Sequence, residues 1–337
     1  MLSVDESLSD EDAVGIGRKG TIDKPQLLKA PFWTVDTLFF MTPKPNSELF
    51  FLYALSQGIE WSKLDESTGV PSLSKTNIEN IVKQIPNHAE QIAIGNFFRT
   101  LDTIITANQQ KLLKLKQLKA AYLQQMFPQA VERVPRVRFD GFAGAWEQRT
   151  IEECISEKIS NGIMNRPGKN KMNARHINVV NLYAPSYIHV HTLEYFNATS
   201  KDIEKCNIEI GDIFLTRSSL KVDGIAQANI LLDDGNYVFD DHIMRLKMSN
   251  EFDAFFVKEA LNYFQAKKEF MSKSKTGTMT TIGQDDITSS NILFPQKGEQ
   301  SLIGCFFLNF DKLIAVQVQK VEQLKNMKSA YLQKMFI

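Results

Sequence analysis

The chain has 337 residues, 43% of them hydrophobic and 23% charged, which fits a globular protein with room for two domains and excludes a wholly disordered chain. Lysine plus arginine and aspartate plus glutamate both number 39, so no net positive field advertises a polyanion, and any such partner must be met by local basic patches. The three cysteines, Cys154, Cys206 and Cys305, are odd in number, far apart and without a C-x-x-C; they read as buried thiols in a reducing compartment, not a disulfide framework or a zinc site.

The opening stretch, MLSVDESLSDED, is acidic where a secretory signal would be basic and then apolar. No run approaches the roughly 18 apolar residues of a membrane span, so a cytoplasmic chain with no membrane partner is expected. Next comes GIGRKGTIDKP, residues 15–25, with a literal G-x-G-x-x-G in Gly15, Gly17 and Gly20. A dinucleotide fingerprint needs a strand before the glycines and a helix opening at them. Here a polar, acidic stretch precedes Gly15, and Pro25 falls where the helix would be in its first turns. What remains is a glycine-flanked turn displaying Arg18 and Lys19, with Lys24 beyond it, suited to a close approach to phosphates. SELFFLYALSQG then predicts a short helix, and Thr68-Gly69 a turn.

Residues 90–127 predict a long helix. Phe98, Leu101, Ile105, Asn108, Leu112, Leu115, Lys119, Tyr122 and Met126 step alternately by three and four, the pattern of a coiled-coil seam, and Pro128 supplies a stop. At 1.5 Å per residue the helix would be roughly 55 Å long.

Beyond it, NGIMNRPGKNKMNARH carries Arg166, Lys169, Lys171 and Arg175 among asparagines, the side-chain types that meet phosphates and base edges. His189 and His191 form an H-x-H expected on a strand, without a third ligand at matching spacing. GDIFLTRSS and YVFDDHIMRLKM predict strands, and Arg217 and Lys221 accompany the first. Asp240, Asp241 and His242 lack a nucleophile motif and suit a strand end or turn. Residues 251–273 have helical periodicity and lead into KSKTGTMTT, which adds Lys273 and Lys275.

Residues 299–336 repeat residues 90–127 without a gap, half of the positions being identical, from Glu90/Glu299 and Gln91/Gln300 to a shared Tyr-Leu-Gln-x-Met-Phe. The second seam reads Phe307, Phe310, Ile314, Gln317, Val321, Leu324, Lys328, Tyr331 and Met335, with an amide and a lysine at the same two positions. Each apolar stripe needs a partner, and its own copy is expected to supply it, the polar seam residues setting register and not chemistry. The fold class is α+β, in two related units. Their expected boundaries are 1–88 for the C-terminal part of a first domain, 89–128 for its helix, 129–297 for a second domain and 298–337 for its helix. The first domain is shorter than the second by about 80 residues, so it is expected to be incomplete, to expose core and to be poorly stable alone. No phosphate loop, H-E-x-x-H, G-x-S-x-G or methyltransferase N-P-P-Y motif occurs, so no catalytic residue and no metal site is assigned.

The doubled helix, Glu-Gln-x3-Ile through Leu-Gln-x-Met-Phe, resembles the conserved regions of type I restriction-modification specificity (S) subunits. VPRVRFDGFAGAWEQRTIEE, at 134–153, looks like the start of such a subunit's second target recognition domain, and GDIFLTR and GRKGTIDKP like internal stretches. The resemblance implies a non-catalytic, DNA-reading subunit with two target recognition domains, the first truncated, and two helices in an antiparallel coiled coil that separates them. It implies double-stranded DNA with a bipartite target, and methyltransferase (M) and restriction (R) subunits as partners. S-adenosylmethionine, ATP and magnesium would belong to those partners, with no cofactor in this chain. Two other readings stay open: a half-functional DNA-binding subunit that pairs with another chain, and a coiled-coil scaffold.

Overall fold

The computed structural model describes residues 6–129, 131–164 and 173–336. They fall into two compact units, one of residues 1–111 with 318–337, the other of residues 112–317. In chain order the elements are β1 (Ala13–Gly17), β2 (Gln26–Leu28), β3 (Leu38–Met41), α1 (Leu49–Gln57), α2 (Lys75–Glu79) and the long α3 (His88–Met126). There follow β4 (Glu147–Thr150), α4 (Ile151–Cys154), β5 (Ser160–Asn161), β6 (Ala174–Ile177), β7 (Glu194–Phe196), α5 (Ser200–Cys206), β8 (Ile213–Thr216) and β9 (Ser218–Ser219). Then come β10 (Ala228–Ile230), β11 (Tyr237–Phe239), β12 (Ile243–Leu246), α6 (Ala254–Asn262), α7 (Phe264–Lys273), β13 (Lys275–Thr276), β14 (Thr280–Thr281), α8 (Gln284–Thr288), β15 (Asn291–Phe294) and the long α9 (Lys297–Met335).

The larger unit is built on an antiparallel sheet of order β10-β8-β12-β5. All four residues of β8, Ile-Phe-Leu-Thr, are buried, because the sheet is covered on both faces. Alternation along the strand sends Ile213 and Leu215 into a core shared with Phe256, Leu261 and Phe270 of α6 and α7 and with Phe307 of α9. Phe214 points the other way, into a second core with Val238 and Phe239 of β11, Ile177 of β6 and Cys206 of α5. That second layer is a sheet of order β11-β6-β7.

The smaller unit has one three-stranded antiparallel sheet, β2-β1-β3. Its buried cluster is Ile16, Ile22, Trp61 and Leu73, with Phe39 and Met41 of β3 packed against it.

The two long helices pair inside each unit. In the smaller one Phe98 stacks with Phe336 at 5.9 Å and Asp102 pairs with Lys328; in the larger one Lys119 pairs with Asp311 and Tyr122 lies 5.1 Å from Phe306. Later residues of α3 meet earlier residues of α9 in both, so the segments run antiparallel. Every predicted seam position of α3 is buried or half-buried, as are those of α9 from Phe307 to Lys328; Tyr331 and Met335 are exposed. The most apolar window of α9 has a mean hydropathy of 1.4, enough by composition for a membrane span, yet Ile303, Phe307 and Ile314 are buried against protein.

Two of the identical residues of the repeat, the glutamine and the glycine, have the same task in both units. Gln91 accepts from Glu48 N–H at 3.1 Å and donates to the Pro86 carbonyl, and Gln300 does the same with Asp253 N–H and Pro295. A Cβ on Gly95 would lie 2.8 Å from Phe51 N, and one on Gly304 2.9 Å from Phe256 N, so glycine lets the start of α1 or α6 press onto the long helix.

Three expectations need correction. The helix over 251–273 is two helices, broken at Tyr263, whose ψ of 149° is extended; the side chain of Asn262 bonds both N–H and C=O of Ala228 just before the break. His189 caps a 3-10 turn at Val190–Thr192 and His191 lies within it, so neither is on a strand. Cys154 and Cys206 are buried, and burial pushes the Cys154 thiol up to about 12, but Cys305 is exposed.

Candidate nucleic-acid interface

The opening motif takes its shape from β1. Gly15 and Gly17 lie inside the strand and Gly20 follows it at φ +81°; the next element is β2, so no helix opens at the glycines. A Cβ on Gly17 would stand 2.0 Å from the Thr21 carbonyl, so only glycine permits the tight return of the chain there. Arg18 leaves the strand end fully framed by backbone. Its N–H donates to the Thr37 carbonyl at 2.8 Å, and its own carbonyl accepts from Leu73 N–H at 2.9 Å. Its guanidinium donates through Nη1 to the Asp36 carbonyl at 3.2 Å and lies 5.7 Å from the Phe39 ring centroid. Lys19, exposed, bridges to Ser72, and Lys24 is also exposed.

Arg217 follows β8 in the same way. Its N–H donates to the His242 carbonyl at 2.7 Å, its carbonyl accepts from Ile282 N–H at 3.0 Å, and its Nη1 reaches the Asp241 carbonyl at 3.4 Å. Gly17 pairs with Leu38 as Thr216 pairs with Ile243, so the two arginines occupy one position of the repeated sheet. Beyond Arg217, Ser218 and Ser219 pair with Thr281 and Thr280 of β14, and β14 with β13. Arg217, Lys221 and Lys275, all exposed, are thereby gathered around one small three-stranded sheet, with Leu220 83% exposed between the first two. Beside it stands the Asp240–His242 turn: Asp240 Oδ1 accepts from His242 N–H at 2.8 Å, and His242 Nδ1 lies 2.5 Å from Ser218 Oγ.

Other predicted contacts are committed elsewhere. Arg175, half-buried on β6, donates to the carbonyls of Val190 and Leu193 and to Tyr195 Oη at 3.0 Å, and its guanidinium lies 4.4 Å from the Tyr195 ring centroid. Lys273 ends α7 bonded to Ser289 and Ser290 and paired with Glu269 at 3.0 Å. Arg166, Lys169 and Lys171 lie outside the described residues. His189 Nε2 is 3.3 Å from Ser186 Oγ; burial, then the neighbouring His191, lowers its pKa.

The sequence did not reveal the charge cluster under the larger unit. Lys119 Nζ lies 2.7 Å from Asp311 and 3.0 Å from Glu259, and Lys258 Nζ lies 2.8 Å from Asp311 and 2.5 Å from Glu259, with a further bond to the Ser186 carbonyl. Burial opposes the Lys258 charge, but Glu259 and Asp311 outweigh it and raise the lysine pKa; burial likewise opposes the Glu259 charge, yet Lys258 and Lys119 hold it at about 2. Burial raises the Asp311 pKa against the pull of the same two lysines, and two lysines facing two carboxylates anchor the helices instead of presenting charge to a ligand. Periodicity marked Lys119 and Lys328 as polar seam positions, but their partners come from elements distant in sequence.

The family described as type I restriction modification DNA specificity domain matches residues 4–117 and again 146–326. The chain belongs to this family. It is similar to the type I restriction enzyme MjaX specificity subunit of Methanocaldococcus jannaschii, with 26% identity over 197 residues, 57% of this chain and 45% of that protein. The chain thus spans less than half the length of that curated relative. Among solved structures, the type I restriction-modification S subunit from M. genitalium superposes with a TM-score of 0.62 at 15% identity, covering 99% of this chain and 85% of that one. A structure from work on complex assembly and conformational transition of the type I restriction-modification system gives a TM-score of 0.55 at 13% identity, with 98% and 82% covered. These likenesses show that the specificity-subunit fold is shared.

Proposed function

We propose that this chain is a DNA-binding specificity subunit of a type I restriction-modification complex, reading a bipartite duplex target and directing methyltransferase and restriction subunits to it. The observation that carries the reading is the doubled match to the DNA specificity family: residues 4–117 lie in the smaller unit but for their last six, and residues 146–326 lie mainly in the larger. Two related sheets, each ending in an exposed arginine, suit two half-sites, with residues 1–88 and 129–297 as the recognition domains. Methylation and cleavage belong to the partner subunits, as do S-adenosylmethionine, ATP and magnesium, and the complex works on DNA in the cytoplasm. Co-expression with methyltransferase subunits and sequencing of methylated adenines tests this. A bipartite methylated motif that disappears when this chain is omitted is the expected result; methylation indifferent to the chain would refute it.

A second reading, a subunit that pairs with another chain, is favoured by one contrast. Glu299 of the larger unit is fully buried under Arg138, with both bonds at 2.7 Å, whereas its counterpart Glu90 is exposed. Sedimentation decides it, a monomer at working concentration arguing against pairing.

A further inference from the structure

The two arginines carry an inference that rests on the DNA-binding reading and sharpens it. Arg18 and Arg217 sit at the same place in two sheets whose surrounding loops differ: Lys19 and Gly20 follow the first, Ser218, Ser219, Leu220 and Lys221 the second. Three things are nonetheless common to both. The main chain of each arginine is held on both sides, by the return strand and by a segment leading out of a Thr or Ser-rich stretch, Ser72-Leu73 or Thr281-Ile282. The guanidinium of each is steered by a main-chain carbonyl, that of Asp36 or Asp241. Because those aspartates offer a carbonyl and not a carboxylate, neither arginine has an ion pair among the described residues, and Nε and Nη2 of each keep their donors for a ligand.

Two half-sites of a bipartite target differ in their bases but share their sugar-phosphate backbone. A feature that two recognition units hold in common, while their loops diverge, matches what the two half-sites hold in common. We propose that Arg18 and Arg217 are equivalent phosphate clamps, one per unit, each presenting a fixed guanidinium to a backbone phosphate of duplex DNA and setting register, with base reading left to the variable loops. The fork geometry of arginine suits two phosphate oxygens, and fixing one Nη atom on a carbonyl lowers the ordering cost of the contact.

The test is a salt titration of the full chain on short mixed-sequence duplexes. Arg18→Gln and Arg217→Gln keep a side-chain amide that can donate to the Asp36 or Asp241 carbonyl while removing the charge. Each is expected to lower the slope of log K against log salt by about 0.9, and the double variant by about twice that, alike on every duplex. Arg→Lys at either position is expected to keep the slope. A methylphosphonate scan of the duplex with the unaltered chain and with the Arg→Lys variants gives an independent measure should a Gln variant fail to fold: neutralising the clamped linkage is expected to lower the slope by the same amount in both, and a scan in which no linkage does so overturns the proposal. Unchanged slopes in folded Gln variants overturn the proposal, and so does a loss confined to one sequence, which would make the arginine a base reader. An unaltered chain that binds no duplex even with co-expressed methyltransferase subunits refutes the specificity-subunit reading together with it.

Discussion

The two units use one plan at different depths. In the larger unit β8 is buried on both faces, and Phe214 reaches a second core of β6, β11 and α5. Counted back from the shared arginine, the smaller unit has Gly15 where the larger has Phe214, and its described residues form a single sheet with a single small cluster. The ionic contacts follow the same rule. Lys328 with Asp102 is a partly exposed pair beside Tyr53, whose pKa is raised by burial and then by Asp102. Lys119 with Asp311 is the equivalent pair, but Lys258 and Glu259 of α6 join it in a buried cluster. The difference teaches that a repeated seam sets the pairing of the helices, while each unit's own body decides how much that pairing is worth.

The sharpest way to break the comparison is to remove the aspartates that pair with the seam lysines. Asp311→Ala leaves Lys119 and Lys258 with only Glu259 and is expected to cost roughly 3–5 kcal/mol in urea unfolding. Asp102→Ala, in the partly exposed pair, is expected to cost about 1 kcal/mol or less; equal costs would sink the contrast. Arg138→Ala, which strands the fully buried Glu299 carboxylate, is expected to cost roughly 3 kcal/mol, against a change within about 0.5 kcal/mol for Glu90→Ala. Thermal melts of the two variants side by side check this.

Gly17→Ala drives a Cβ into the Thr21 carbonyl and is expected to destabilise the smaller unit by roughly 1–3 kcal/mol, read as faster hydrogen exchange confined to residues 1–111. Protection lost equally in both units would contradict it. The smallest effect is one of pH. His176 is buried against Phe196 with its Nε2 unbonded, 4.0 Å from Asp240, and burial lowers its pKa below 6.5 despite the pull of Asp240 and Glu194. A lowered histidine pKa means that protonation favours unfolding, so this contribution is complete above about pH 6.5 and is lost as pH falls below it. His176→Gln is expected to flatten that acid limb in the larger unit, and an unchanged pH profile would remove His176 from the account.

The long helices and their partnership were legible because a seam is a periodic signal and the repeat states it twice: from Phe98 to Met126 the predicted positions are all buried or half-buried. Strand signals at GDIFLTR and the failure of Gly15, Gly17 and Gly20 to open a helix were equally readable, since both depend on neighbours in sequence, but Gly15 and Gly17, expected in a turn, lie in β1, whose partners β2 and β3 come later in the chain. The break at Tyr263 was not, because the groups that fix Asn262 belong to Ala228 of β10. Among the basic residues, sequence alone ranked Arg175 with Arg217; only packing separated an arginine wedged between Val190, Leu193 and Tyr195 from one left open at a strand end.

Local pattern thus determined which residues form the helices, which positions on them turn inward, and that the chain carries two versions of one unit. Tertiary structure alone decided that Arg18 and Arg217 are equivalent, that Lys119 meets Glu259 and Lys258, and that Glu299 is buried while Glu90 is not. The physical reason is range: helical periodicity and turn chemistry act between residues a few positions apart, whereas burial and ion pairing depend on whichever distant segment completes the surface.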